Sequence, residues 1–486
     1  MGKNSSVISS SSWTLGVKFI ERGVSLAVYI MLARFLSVEE FGVVAFAMLF
    51  LEFITVFTSS GVKDFILTRK EVSSSFIDTC TYSVIFISIV ISSIFYLVMD
   101  FFFIDKSEMM KDVFQVLLFL PAISSFNIVQ TALLQRSYNF KNLSLRNLVS
   151  TIIAGLSSMY CAYDGYGAWA LVLYQYCKVI IDTIILQILV KYRPNFHFSL
   201  RYFKECYKFS LPLLFSEIMN FWSTRMMDLF VSVIHGAPSL AILNIARKFS
   251  RLVQQLSLTA LRPVVLSYAS KSENKSQSFA KFIAYVTFTI APVLIAIGVY
   301  AEFYVTPIFG DQWAPAVIII ELLSYTAIAQ CLSWYFGLIL IAQSKNILLF
   351  KLNVIFTLTF FIVGVGSYKL SFENYVAIQV VLINIISFYK VFFVVKKKYI
   401  EFKCFMEFIL PAVFSCLIFI IFALIFREVI TNNHNSSSFI TVSLVVLSSV
   451  ISFLISAAVT MSFFKSFRAE IINIISKVSL KFRKSN

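Results

Sequence analysis

The sequence predicts an all-α integral membrane protein with about fourteen transmembrane helices. Three observations carry this. First, 59% of the 486 residues are hydrophobic and only 14% are charged, with a mean hydropathy of +0.85. Soluble domains are about 45–50% apolar and about 25% charged. Second, apolar stretches of bilayer-crossing length recur from end to end, rich in Phe, Ile and Val. A barrel would show short alternating segments instead. Third, basic residues alternate from loop to loop. Segments 1–12, 63–75, 135–147, 191–208, 262–281, 343–351, 396–407 and 465–486 hold 28 Lys and Arg, and the loops between them hold five. Short cytoplasmic loops are the basic ones, so both termini are expected in the cytoplasm.

Taken in order, the first span is expected near 13–33, from Trp13 to Ala33, although Lys18, Glu21 and Arg22 stand in its middle. The second, near 41–62, carries Glu52 and Ser59. Apolar runs near 77–99, 113–134 and 148–163 give the next three, and the sixth, near 167–190, places Gln175, Lys178 and Asp182 on one face. The basic segment 191–208 is the longest loop and reads as a cytoplasmic linker. The seventh span, near 209–233, aligns Glu217, Asn220, Thr224 and Asp228, with Arg225 at the edge of that face. The eighth, near 239–261, aligns Asn244, Arg247, Lys248, Arg251 and Gln255. The rest lie near 282–301, 315–342 (with Glu321, Ser324 and Tyr325 on one face), 352–368, 374–395, 408–426 and 438–464.

Each charge at a span centre costs roughly 2.5–3.5 kcal/mol on insertion scales. On a helical wheel, Thr14, Glu21, Arg22, Ser25 and Tyr29 fall within about 60° of Lys18, so the first helix has a single polar stripe. Such charges often only pair between helices to fix packing, and Lys390, near a span end, reads as snorkelling. The sum argues for more. Helices one, seven and eight set six cations (Lys18, Arg22, Arg225, Arg247, Lys248, Arg251) against three anions (Glu21, Glu217, Asp228). Surplus positive charge within a membrane calls for a hydrated cavity or an anionic ligand.

Several functions are excluded. The net charge of +16 sits mostly in the cytoplasmic loops, as a topology and anionic-lipid signal rather than a nucleic-acid surface. The seven Cys are scattered, so neither a disulfide framework nor a metal site is expected. The polar start MGKNSSVISSSS is not expected to be a cleavable signal. There is no GxSxG, HExxH or Walker loop, no acid/base pair is evident, and the three His are far apart. No catalytic residue and no cofactor are expected, and the protein does not read as an enzyme.

Residues 33–71, ARFLSVEEFGVVAFAMLFLEFITVFTSSGVKDFILTRKE, resemble the start of the oligosaccharide flippases, the Wzx-type polysaccharide transporters of the multidrug/oligosaccharidyl-lipid/polysaccharide exporter superfamily. Arg34, Leu36, Ser37, Phe41 and Gly42 match the family's Arg-x-Leu-Ser-x-x-x-Phe-Gly. ALLQRSYNFKNLSLRN, GYGAWALV and YKFSLPLLFSEIMNFWSTRMMDLFVS continue the likeness. Gly310, Trp313, Pro315 and Ala316 match its Gly-x-x-Trp-x-Pro-Ala. The resemblance spans roughly 13–395. It implies two pseudo-symmetric six-helix bundles, 1–190 and 209–395, around a central cavity, joined by the linker 191–208. Two additional helices and a basic cytoplasmic tail would fill 396–486. It implies a bacterial inner-membrane flippase that moves undecaprenyl-pyrophosphate-linked oligosaccharide repeat units to the periplasmic leaflet by alternating access. The polymerase and chain-length regulator of the same pathway would be its partners, with membrane lipids around it.

On this reading Lys18, Arg22, Arg225, Arg247, Lys248 and Arg251 hold the pyrophosphate. Glu21, Glu52, Lys178, Asp182, Glu217 and Asp228 pair charges or couple an ion, with Asp182 or Asp228 as the carrier of H⁺ or Na⁺. Arg225 and Asp228 match the family's Arg-x-x-Asp and Arg247 its recurrent arginine. Asn244 and Ile245 stand where relatives commonly have Tyr, which bears on sugar preference. The rival within the superfamily, a drug/cation antiporter, predicts a carboxylate-rich cavity. A membrane glycan polymerase or ligase predicts a large outer loop, and the longest outside loops here are about 13 residues.

Overall fold

All secondary structure in the computed structural model is helical, across residues 2–69, 71–102, 107–192, 194–271, 275–343, 345–432 and 438–472, the ones described. Lipid imposes this outcome, because a helix satisfies its own backbone. His434 and the basic tail from 473 to 486 lie outside the described residues. The chain divides into two compact units, 1–241 and 242–486.

The first unit contains α1 (Gly2–Phe35), α2 (Val38–Ser59), α3 (Val62–Thr68), α4 (Ser74–Phe102), α5 (Glu108–Leu117), α6 (Leu120–Arg136), α7 (Phe140–Tyr163), α8 (Ala168–Val190) and α9 (Leu200–Ile234). The unit boundary falls within α10 (Gly236–Lys271). Helix α7 packs between α1 and α8, and α9 packs on α2, α3 and α4. The seventh apolar stretch is therefore part of this unit.

Local chemistry explains the motif that begins α2. Ser37 caps the helix: its Oγ accepts from the Glu40 amide at 3.2 Å, and the Glu40 carboxylate accepts from the Ser37 amide at 2.7 Å. This is a capping box. Leu36 and Phe41 on either side are buried. At Gly42 a Cβ would lie 2.2 Å from the Ala237 carbonyl oxygen, so only glycine lets these backbones meet. After α2 ends at Ser59, Gly61, with a φ of +79°, turns the chain into α3. There a Cβ would lie 2.5 Å from the Ser210 Cα.

The linker 191–208 is docked rather than loose. The Tyr192 hydroxyl donates to Asp78, the Asn195 amide donates to the same carboxylate at 3.3 Å, and the Ser199 amide donates to Thr79 at 3.1 Å. Arg136 donates to the Ile66 carbonyl at 2.9 Å and to the Arg69 carbonyl. Arg69 in turn lies over Phe76, 4.5 Å from the ring centre, and 2.9 Å from Glu205.

The second unit continues with α11 (Lys275–Val299), α12 (Ala301–Phe309), α13 (Ala316–Ser324), α14 (Ala327–Ser333), α15 (Phe336–Ala342), α16 (Asn346–Gly366), α17 (Phe372–Lys396), α18 (Phe402–Cys404), α19 (Leu410–Asn432) and α20 (Ser438–Phe463). Its cores centre on α11, and α19 and α20 contribute Cys416, Phe419, Val445 and Ala457 to them. The last two helices are thus built into this core. Trp313 of the Gly-x-x-Trp-x-Pro-Ala motif is fully buried beside the turn at Gly310. Lys390 lies among Phe336 and Phe356, 5.0 Å from the Phe356 ring centre.

Among the described residues, nine helices are long and apolar enough to cross a membrane, or ten if one bent pair is a single span. That pair, Ala316–Ser324 and Ala327–Ile341, bends by 50° where one continuous span was expected. The expected stretches in α1, α7, α9 and α10 are helical but fall outside this set. Three of these, the first, seventh and eighth of the fourteen, carry charged faces.

Candidate functional site

In the first unit, Arg225 joins α9 to α2. Its guanidinium lies 2.7 Å from Glu52 and 3.2 Å from Asp228. Asp228 is completely buried, and Glu52 is the most exposed of the three. The sequence placed Arg225 and Asp228 one helical turn apart. It did not show that Glu52, far away in the chain, completes the set. Glu217 instead bonds Asn220 at 3.4 Å and is exposed, as are Trp222, Ser223 and Thr224 on the same helix.

A second charged group lies between α7 and α8. Arg146 sits 3.1 Å from Asp182, and the two side chains are only 10% and 15% exposed. Arg146 also donates to Thr131 at 3.1 Å and to Asn147 at 2.6 Å. Glu21 is within electrostatic reach of Arg146, and Lys178 of Asp182. Lys178 also lies 5.9 Å from the Tyr174 ring centre. A cavity of about 450 Å³ opens beside Arg146 and Asp182, and Glu217, Lys63 and Asp64 line it too. Sequence reading missed Arg146 because it was counted as a cytoplasmic loop charge. The usable signal was Asp182 itself, since an intramembrane carboxylate needs a cation.

On α1, Lys18 and Arg22 are exposed and Glu21 is half-buried. In the second unit, Arg247, Lys248 and Arg251 are half-buried on α10. Arg247 is within electrostatic reach of Tyr375, which is fully buried. Arg427 lies 2.9 Å from Glu321 and 3.2 Å from Glu302, so the intramembrane Glu321 is partnered from an expected outer loop. Among the described residues no group of three or more His, Cys, Asp or Glu is placed to hold a metal ion.

Charged faces on helices that otherwise suit lipid define a multi-pass, all-helical membrane protein. The chain belongs to the polysaccharide biosynthesis protein family, whose sequence model matches residues 31–318, more than half of it. It is 22% identical over 320 residues to the succinoglycan biosynthesis transport protein ExoT of Rhizobium meliloti, covering 65% of this chain and 63% of that protein. The match thus spans less than two thirds of that relative. It is also 22% identical over 376 residues to the lipopolysaccharide biosynthesis protein WzxC of Escherichia coli, covering 74% of this chain and 75% of that one. In fold it is similar to the lipid II flippase MurJ in an inward closed conformation. That likeness has a TM-score of 0.70 at 16% identity, over 92% of this chain and 98% of the other. A multidrug resistance MATE transporter of the MOP superfamily is more distant, with a TM-score of 0.56 at 13% identity, over 77% and 94%.

Proposed function

We propose that this protein is a flippase that moves undecaprenyl-pyrophosphate-linked oligosaccharide repeat units from the cytoplasmic to the periplasmic leaflet of a bacterial inner membrane. The observation that carries this reading is the exposed cation pair on α1. Lys18 and Arg22 stand one turn apart on the polar stripe of α1, with Glu21 between them, and both are exposed. Exposed cations at that depth suit an anionic ligand, and a diphosphate is one. Arg247, Lys248 and Arg251 give the second unit a cationic face of its own on α10. Family membership, a relative named for succinoglycan biosynthesis transport and another named for lipopolysaccharide biosynthesis support the substrate class.

Arg225 takes a different part in this account. Glu52 and Asp228 already neutralise it. In the resting protein it is a charge lock, and it reaches the diphosphate only by giving up Glu52, the more exposed partner. Fourteen crossings, cytoplasmic termini and the two six-helix halves belong to the same reading. So do alternating access, H⁺ or Na⁺ coupling through Asp182 or Asp228, and partnership with a polymerase and chain-length regulator. No bond is made or broken in such a transfer, so the protein acts as a transporter and not as an enzyme.

The test is charge removal at native expression. Arg22→Ala and Arg247→Ala each abolish surface polysaccharide while the protein stays in the membrane, and lysine at either place restores part of it. Normal surface polysaccharide in both alanine variants contradicts the reading. Altered drug resistance with unchanged glycan would replace it with drug/cation antiport.

A further inference from the structure

The cavity of about 450 Å³ inside the first unit is chemically unlike the cationic faces. Its size falls within the roughly 300–1,000 Å³ of small-molecule sites. Lys63 and Arg146 line it together with Asp64, Asp182 and Glu217, so carboxylates outnumber cations. Arg146 is moreover engaged by Asp182, Thr131 and Asn147. A diphosphate would meet net repulsion here.

The lining is instead rich in hydrogen-bond acceptors. Asn127 Oδ1 is buried and receives no hydrogen bond from the protein, whereas Asp182 Oδ1 is already held by Arg146 at 3.1 Å. Leaving a buried acceptor unmatched is costly. Ser59 and Ser124 give their hydroxyl protons to helix carbonyls, at 2.7 and 3.1 Å, and Ser60 does the same. Their remaining lone pairs can only accept. Lys63 and the Asn127 amide add donors, so the wall suits a ligand whose groups both donate and accept. A metal ion would need a tighter carboxylate cluster than the described residues provide. A polyhydroxyl ring supplies many donors, and Val56, Ile128 and Leu213 give its C–H faces an apolar surface.

We infer that this cavity is a sugar-recognition pocket, in which glycan hydroxyls donate to Asn127 and Asp64. Resting on the flippase reading, it assigns the sugar and the diphosphate of one substrate to chemically distinct places. The pocket selects the glycan, and the cationic faces hold the diphosphate common to all such lipids.

The experiment uses the full chain in proteoliposomes with two lipids: undecaprenyl pyrophosphate carrying one sugar, and the same lipid carrying the host's complete repeat unit. Asn127→Leu slows transfer of the complete unit about tenfold and leaves the single-sugar lipid within about twofold of wild type. Asp64→Ala, at an exposed position on the lining, shifts the ratio in the same direction and decides the matter if Asn127→Leu does not fold. If a folded variant keeps the wild-type ratio, whether or not both rates fall, the pocket is not a sugar site. If the wild-type protein moves neither lipid, the flippase reading itself fails.

Discussion

Arg225 shows most clearly what one side chain does here. It faces a carboxylate that is fully buried and another that is partly open. Removing one partner of such a set leaves an uncompensated buried charge, at about 3–5 kcal/mol. Arg225→Ala should therefore lower the melting temperature of the purified protein markedly. Asp228→Asn in the same chain should recover much of the loss, because the stranded charge is then gone. Wild-type melting by Arg225→Ala would contradict this. Lysine in its place should fall between the two, since one ammonium does not reproduce the guanidinium fork. Charge faces along single helices were legible in the sequence, because a helical wheel needs only residue spacing. Partners across helices were not. Glu52 with Arg225 and Arg146 with Asp182 join distant parts of the chain, and periodicity carries no information about which faces meet.

At the scale of elements, the joints of the first unit give two tests. Ser37→Ala removes the α2 cap and should cost about 0.5–2 kcal/mol. Gly42→Ala forces a Cβ against the Ala237 carbonyl and should cost about 1–3 kcal/mol, as overpacking does. Melting of the two variants side by side checks the order. Glu205, at the start of α9, adds a pH dependence. Hydrogen bonds from Arg69 first, and then Arg201, hold its carboxyl below glutamate's ordinary 4.5. A carboxyl with a depressed pKa stabilises the fold above its unfolded value and loses that contribution as pH falls through the folded value. The link from Arg69 to α9 should thus weaken only below about pH 4.5, and Glu205→Gln should remove that acid sensitivity. Because the group is at the surface, the effect is small and is best followed by hydrogen exchange in residues 62–69 and 200–208. The motif at 34–42 was legible as sequence, and its physical content turned out to be a cap and a backbone contact. The break near Tyr325 was not legible, because the apolar residues on both sides of it read as one continuous span and hydropathy does not register a bend.

At the scale of the whole molecule, hydropathy and loop charge were enough to give the class, since lipid leaves a chain few options. Beyond the nine helices and the one bent pair that pass a length-and-apolarity test, the four remaining expected spans are those in α1, α7, α9 and α10. Three of them carry charged faces, and charge inside a span lowers its hydropathy. The account assigns these helices to moving an anionic, lipid-linked glycan. The most direct test is to delete the gene and measure which leaflet holds the undecaprenyl-pyrophosphate-linked repeat units. The account predicts that they accumulate on the cytoplasmic side while surface polysaccharide is lost, and that the wild-type gene reverses both. Accumulation of single units on the periplasmic side, or no change in either quantity, would contradict it.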